Sequence, residues 1–206
     1  MENDQPINVD IWSDFTSPYC FLTALRLEKL AASENLHRMW VAFLVRPHGA
    51  PAMSEEQRAT AESQRTAASE AIRKEFGLEL KPGPVDIDTY DAHLVMAYAT
   101  RSGRGPVLLL ALMRAYWLEA KDIGKRETIQ EVAASAGVGA DESAYAWQDP
   151  KNVHHVERGM EIGVGHGIHS VPTHIFGIKY LLTGAMDYSD LEATVAKLRE
   201  ETRKAG

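Results

Sequence analysis

Cysteine occurs once in the 206 residues of this chain, as Cys20, so no disulfide can close within it and any redox chemistry must be intermolecular. Positive charge is also scarce. Lys and Arg number 22 against 29 Asp and Glu, a formal charge of −7, which leaves no basic footprint for nucleic acid or anionic lipid. Long apolar runs are missing: the longest, Val107 to Met113, stops at Arg114, far short of the roughly 20 residues a membrane-spanning helix needs. The first ten residues carry acids and no basic stretch leading into an apolar one, so they do not read as a secretory signal, and a cytoplasmic location is expected. Internal repeats and low-complexity segments are absent. What is present, 45% hydrophobic and 25% charged residues, suffices for one sizeable core and is marginal for two.

Ile7, Val9 and Ile11 alternate with polar residues as in a strand, and Ser13 to Pro18 breaks the pattern. Ser17 suits an N-cap and Pro18 the first helical position, so a helix follows that buries Phe21, Leu22, Leu25 and Leu30 and holds Cys20 in its first turn. Arg38 to Val45 reads as a second strand, closed by Pro47 and Gly49. Helical signals then fill the text to about Gln148: a capping box at Ser54 and Gln57 opening a helix to Phe76, a helix capped by Thr89, an apolar helix from Pro106 to Leu118, and shorter ones around Ile129 to Ala136 and Glu142 to Trp147. Asp149 and Pro150 start a further helix, which Gly165 and Gly167 end. Two short strand-like runs, Thr173 to Phe176 and Lys179 to Thr183, flank Gly177 and Ile178 as a hairpin, although Gly-Ile is not favoured turn chemistry. A closing helix is expected from Ser189, with Glu192 completing a capping box.

The order is βαβ, a helical block, then helix, hairpin and helix. Neither α/β end has enough strands for a sheet, so the two fold together as one α/β domain, residues 1–46 with 149–206, around a helical insertion over 47–148. Two segments become neighbours on that reading: the turn Ser17-Pro18-Tyr19-Cys20 and the Val171-Pro172 step before the hairpin.

These segments, with Asp14-Phe15-Thr16 ahead of the first, Tyr90-Asp91-Ala92-His93, Ala111 to Trp117 with Asp122-Ile123-Gly124, and Ser170 to Thr173 with Gly184-Ala185, resemble the DsbA family of thioredoxin-fold proteins. The FrnE-like branch, dithiol-disulfide isomerases by family description, is the nearest in pattern, and the likeness covers nearly the whole chain. It implies a thioredoxin fold with a large helical insertion and thiol-disulfide oxidoreductase ancestry. The family motif is Cys-x-x-Cys, and here Ser17 stands where the attacking cysteine belongs. A serine hydroxyl forms no disulfide and is hardly ionised near neutral pH, so Cys20, in the resolving position, is left without its partner.

The Ser-Pro-Tyr start also resembles kappa-class glutathione transferases and 2-hydroxychromene-2-carboxylate isomerases. There a serine at the place of Ser17 acts on bound glutathione. That likeness implies glutathione as cosubstrate rather than a covalently bound cofactor, and a homodimer. Physical chemistry agrees, because a hydroxyl and the free amides of a helix start can hold a ligand thiolate. From the family pattern, Pro172 is expected to be cis and to face the turn, with the Val171 backbone pairing a bound peptide or glutathione strand.

The residues expected to carry chemistry are therefore Ser17 and Cys20, with Pro18, Tyr19, Val171, Pro172 and Thr173 binding substrate. His174 approaches the site on this reading, and Asp14 organises the loop before it. Ser17 as a plain N-cap and Cys20 as a small buried hydrophobe are the structural alternatives. No metal is expected. His154 and His155 point to different faces of a helix, and glycines interrupt the helix between His166 and His169, so no ligand spacing forms. Three readings remain open: an oxidoreductase relative acting on thiol or glutathione-linked substrates with Cys20 exchanging, a glutathione-dependent isomerase or transferase with Cys20 structural, and a non-catalytic thiol-peptide binding module. Partners are small-molecule thiols or thiol peptides in each.

Overall fold

The computed structural model describes residues 5–205. The expectation that the chain carries no secretory signal rests partly on residues 1–4, which lie outside the described residues. A four-stranded sheet of order β2-β1-β3-β4 holds the chain together. Its strands are β1 (Ile7–Ser13), β2 (Leu36–Ala42), β3 (Thr173–Phe176) and β4 (Tyr180–Thr183). β1 and β2 run parallel, while β3 lies antiparallel to β1 and β4 antiparallel to β3. Helix α1 (Pro18–Ala31) joins the parallel pair, and α2 (Glu55–Phe76), α3 (Tyr90–Arg101), α4 (Gly105–Leu118), α5 (Arg126–Ser135) and α6 (Ala140–Ala146) form the helical insertion. α7 (Pro150–Gly165) returns to the sheet and α8 (Tyr188–Ala205) closes the fold.

Alternation along β1 decides what covers each face. Val9 and Ile11 are fully buried in a cluster with Phe21, Leu27 and Leu30 of α1, Phe176 of β3 and Leu191 and Val195 of α8. Trp12 has the opposite parity, and its indole N–H donates to the Gly159 carbonyl of α7 at 3.0 Å. α7 lies so close that glycine is required on its inner face: a Cβ on Gly163 would come within 2.8 Å of the Trp12 ring, and one on Gly159 within 2.7 Å of Val41. The cluster around α1 continues without a break into the insertion, through Val95, Leu112, Tyr116 and Trp117. Trp117 reaches back to donate its indole N–H to the Phe15 carbonyl at 2.9 Å, fixing α4 to the turn after β1.

Several expected boundaries move. β2 begins at Leu36 rather than Arg38 and ends at Ala42, because its parallel register is set by β1, from Ile7 opposite Leu36 to Ser13 opposite Ala42. The hairpin loop is three residues long, since Phe176 pairs with Tyr180. Gly177 and Ile178 both have positive φ, 58° and 62°, which a glycine accepts readily and a β-branched isoleucine does not. α8 starts one residue before Ser189: the Asp187 carbonyl accepts from the amides of Asp190 and Leu191, and Asp187 stands at the N-cap, two residues ahead of the expected Ser189. Among the described residues no helix is long and apolar enough to cross a membrane.

Candidate active site

Ser17 ends the turn after β1 in an extended conformation, and its Oγ accepts from the Cys20 N–H at 3.4 Å. It is thus the N-cap of α1, with Pro18 at the first helical position where a missing N–H costs nothing. Capping uses the oxygen as acceptor only. The hydroxyl proton is turned toward the Cys20 thiol, and the side chain is half-buried at the wall of a cleft.

That cleft, about 280 Å³, is lined by Thr16, Ser17, Pro18 and Tyr19 on one side and by His169, Ser170 and Val171 on the other. The Val171–Pro172 peptide bond is cis. Val171 is half-buried, and its backbone groups join none of the hydrogen bonds among the described residues. Phe43, Val45, Met53, Ala61, Gln64, Arg65 and Val85 complete the walls, and no acidic side chain is among them.

Cys20 does not share the cleft. It is fully buried, and burial pushes its thiol up from 9.0 to about 11, against the opposing hydrogen bonds of Ser13 and Ser17. The expected exchange role for Cys20 is therefore corrected: at neutral pH it is a protonated thiol with no surface open to a disulfide arriving from solution. Ellman's reagent is expected to find no reactive thiol in the native protein and one per chain after denaturation.

Asp14 does more than organise its own loop. Its Oδ1 accepts from the Thr16 N–H at 2.7 Å and the Thr16 hydroxyl at 2.6 Å, and its Oδ2 from the Val45 N–H at 3.2 Å and the Thr89 hydroxyl at 3.0 Å. His93 Nε2 lies 3.7 Å from Oδ2, both side chains being almost wholly buried, and the His93 ring packs on Phe15. One carboxylate thus joins two residues of the cleft wall, Thr16 and Val45, to the start of α3. Burial alone would raise the Asp14 carboxyl, but His93 and the Thr16 hydrogen bonds outweigh it and hold the group below its ordinary value. Thr89 spends its hydroxyl here and does not cap α3.

Three further expectations change. His174 is fully buried on β3 and absent from the cleft; its Nδ1–H donates to the Leu182 carbonyl at 3.3 Å, and burial lowers its pKa to about 4. It is a neutral core histidine. Thr173 is buried and its hydroxyl is taken by the Ser170 carbonyl at 2.8 Å, so it shapes the turn instead of meeting substrate. Pro172 is likewise buried, its carbonyl accepting from the Gly184 N–H, and Val171 alone of this trio faces the cleft. Among the described residues, no three His, Cys, Asp or Glu side chains could hold a metal ion together.

The sequence reading missed the wall given by α2. Arg65 is 8% exposed, donates to the Gly83 carbonyl, the Tyr116 hydroxyl and Glu62, and stands over the Tyr116 and Trp117 rings. The signal was present: Arg65, Ala68 and Ile72 form the buried stripe of an otherwise exposed helix, and an arginine within such a stripe needs partners.

A family model described as a DSBA-like thioredoxin domain matches residues 8–196. Among solved structures, a probable DsbA oxidoreductase from Streptomyces coelicolor superposes with a TM-score of 0.75 at 23% identity, covering 93% of this chain and 89% of that one. A 2-hydroxychromene-2-carboxylate isomerase gives 0.78 at 16% identity, over 97% and 99% of the two chains. The cytosolic disulfide reductase DsbM from Pseudomonas aeruginosa, also solved with GSH, gives 0.69 at 14% identity, over 96% and 98%. At these identities the likeness is one of fold. No curated protein matches the sequence significantly.

Proposed function

Because this chain belongs to the DSBA-like thioredoxin domain family yet buries its single thiol, we propose that its reactive thiol arrives with the substrate. Glutathione, or a similar small-molecule thiol, binds the cleft, and the protein acts as a glutathione-dependent isomerase or transferase. The observation that carries this reading is the contrast between Ser17, whose hydroxyl is half-exposed at the cleft wall, and Cys20, fully buried with its thiol raised to about 11.

The Ser17 hydroxyl, turning from the Cys20 thiol to the ligand, and the amides at the start of α1 stabilise the ligand thiolate, helped by the positive end of the helix dipole. The unpaired Val171 backbone takes the peptide portion of glutathione, and a cleft whose lining holds no carboxylate does not repel its anionic ends. The thiolate adds to an electrophilic carbon of the second substrate. In an isomerisation the carbon–sulfur bond later breaks and returns the thiolate, so no oxidant is consumed. A reducing cytoplasm, rich in free thiol, suits this chemistry. The neighbours' printed names, an isomerase and a reductase solved with GSH, lend support from the same fold.

Calorimetric titration tests the reading. The wild-type protein is expected to bind glutathione with millimolar or tighter affinity and to raise the thiolate's ultraviolet absorbance at neutral pH. Ser17→Ala is expected to keep weak binding and to lose that absorbance. No binding by the wild type would sink the reading, and thiol-peptide binding without turnover would favour the non-catalytic module.

A further inference from the structure

Part of the thiol cleft's wall is built by residues 43–54, which connect β2 to α2 with neither helix nor strand. A segment without ladder bonds keeps one shape only if side chains hold it, and here three carboxylates do. Asp14 accepts from the Val45 N–H at 3.2 Å, Asp88 from the Gly49 N–H at 2.9 Å, and Asp86 from the Met53 N–H at 2.9 Å. Asp86 does most. Its two oxygens also pair with Arg46 and Arg58, each at 2.6 Å, and both guanidinium groups return to the segment. Arg46 donates to the carbonyls of Ala50 and Pro51 at 3.3 and 2.7 Å, and Arg58 Nε to that of Met53 at 3.3 Å. Met53 is thus held by its N–H and its carbonyl together, and it lines the cleft with Val85, the residue before Asp86.

What this clasp presents to the cleft is apolar: Phe43, Val45, Met53 and Val85, with Val45 49% exposed. The charged groups that shape the wall, Arg46, Arg58, Asp86 and Asp88, do not line the cleft, and their charges cancel. Arg65 does line it, but spends donors on the Gly83 carbonyl, the Tyr116 hydroxyl and Glu62. An apolar ring laid on the wall leaves water at a gain, whereas a carboxylate placed there loses hydration and meets no directed donor. Where a bound thiol is the nucleophile, such a wall faces the electrophile. We propose that residues 43–54, with Asp86 as their positioning residue, select a second substrate whose uncharged ring packs on Met53, and reject one that carries a carboxylate on that ring. This selectivity rests on the glutathione reading, since it presumes a thiol in the cleft.

Two stable thioethers, S-benzylglutathione and S-(4-carboxybenzyl)glutathione, probe the wall without turnover. Calorimetry is expected to show the benzyl conjugate binding roughly tenfold tighter than glutathione, the gain from burying about half of a phenyl ring. The carboxybenzyl conjugate should show no such gain. Met53→Ala should cut the benzyl gain, taken against glutathione in the same variant, to about threefold or less. Asp86→Asn keeps an acceptor for the Met53 N–H but leaves one positive charge unanswered behind the wall. The carboxybenzyl conjugate should then gain on the benzyl conjugate by roughly fivefold, whereas mere loosening of the segment would weaken both alike. Met53→Ala carries the test if Asp86→Asn fails to fold. Glutathione bound without a benzyl gain overturns the selectivity alone, as do equal affinities for the two conjugates or an undiminished gain in folded Met53→Ala. An unchanged preference in folded Asp86→Asn overturns the role of Asp86. A wild type that binds neither glutathione nor either conjugate fails the thiol reading itself.

Discussion

Asp14→Ala is expected to lower the unfolding free energy by about 3 kcal/mol, read as a fall in the urea midpoint with little change in slope. The substitution removes an acceptor that the Thr16 and Val45 amides and the Thr89 hydroxyl all use, and leaves His93 buried beside an apolar methyl group. Because Thr16 and Val45 both line the cleft, glutathione affinity should fall along with stability. Thr89→Val, which deletes one bond and spares the carboxylate, should show a smaller loss of both. The pH dependence separates Asp14 from His174, a second buried group whose titration shifts on folding. The folded Asp14 carboxyl lies below its ordinary value of 3.8, so its contribution is complete above that value and is lost as the pH falls through the lower folded one. His174 acts in a higher window. Its imidazole drops from 6.5 to about 4 on folding, so the unfolded chain takes up a proton that the folded one refuses, and stability falls between pH 6.5 and 4 by about 3 kcal/mol. Asp14→Ala should keep the upper slope and flatten the lower; His174→Phe should do the reverse. Urea titrations at several pH values decide the matter, and equal slopes in both variants would contradict the assignment.

Local rules made the frame of this fold readable. Ser17 and Pro18, Asp149 and Pro150, and the Ser54 capping box each mark a helix start because the cap geometry is satisfied by residues adjacent in sequence, and the structure uses all three. Where local preference met a distant competitor, the competitor won. Thr89 has the side chain of a cap, yet its hydroxyl turns to a buried carboxylate 75 residues away. The end of β2 follows the length of β1, and no residue within β2 records that. The site divides in the same way. Ser17 at the cleft and the Val171 step facing it were legible from the turn and its proline. The depth of Cys20 was not, since three residues separate it from Ser17 on one helix turn, and only the packing of α1 against the sheet and α4 decides that one faces the cleft and the other the core. Arg65 reaches the site through the path of α2, which follows from tertiary packing alone.

Ser17→Cys is expected to raise disulfide reductase activity from background to a measurable level, the largest functional change any single substitution here should produce. It writes Cys-Pro-Tyr-Cys at the start of α1 and places a half-exposed thiol where the free helix amides lower its pKa below the ordinary value of about 8.5. That thiolate attacks a disulfide, forming one sulfur–sulfur bond to the substrate and releasing the other half as thiol. Cys20, three residues on and bonded through its N–H to position 17, then attacks the mixed disulfide from within. Its raised pKa of about 11 slows this second step, while intramolecular delivery speeds it, so turnover should be slow but complete. The products are an internal disulfide, seen by mass spectrometry as the loss of two hydrogens, and a reduced substrate; added thiol returns the enzyme to its starting state. Two controls fix the interpretation. Wild type should gain no glutathione adduct from glutathione disulfide, and Ser17→Cys with Cys20→Ala should stop at a stable mixed disulfide. A folded Ser17→Cys variant that forms no adduct would mean that position 17 does not meet thiol ligands in the cleft. The glutathione reading would then fall with it.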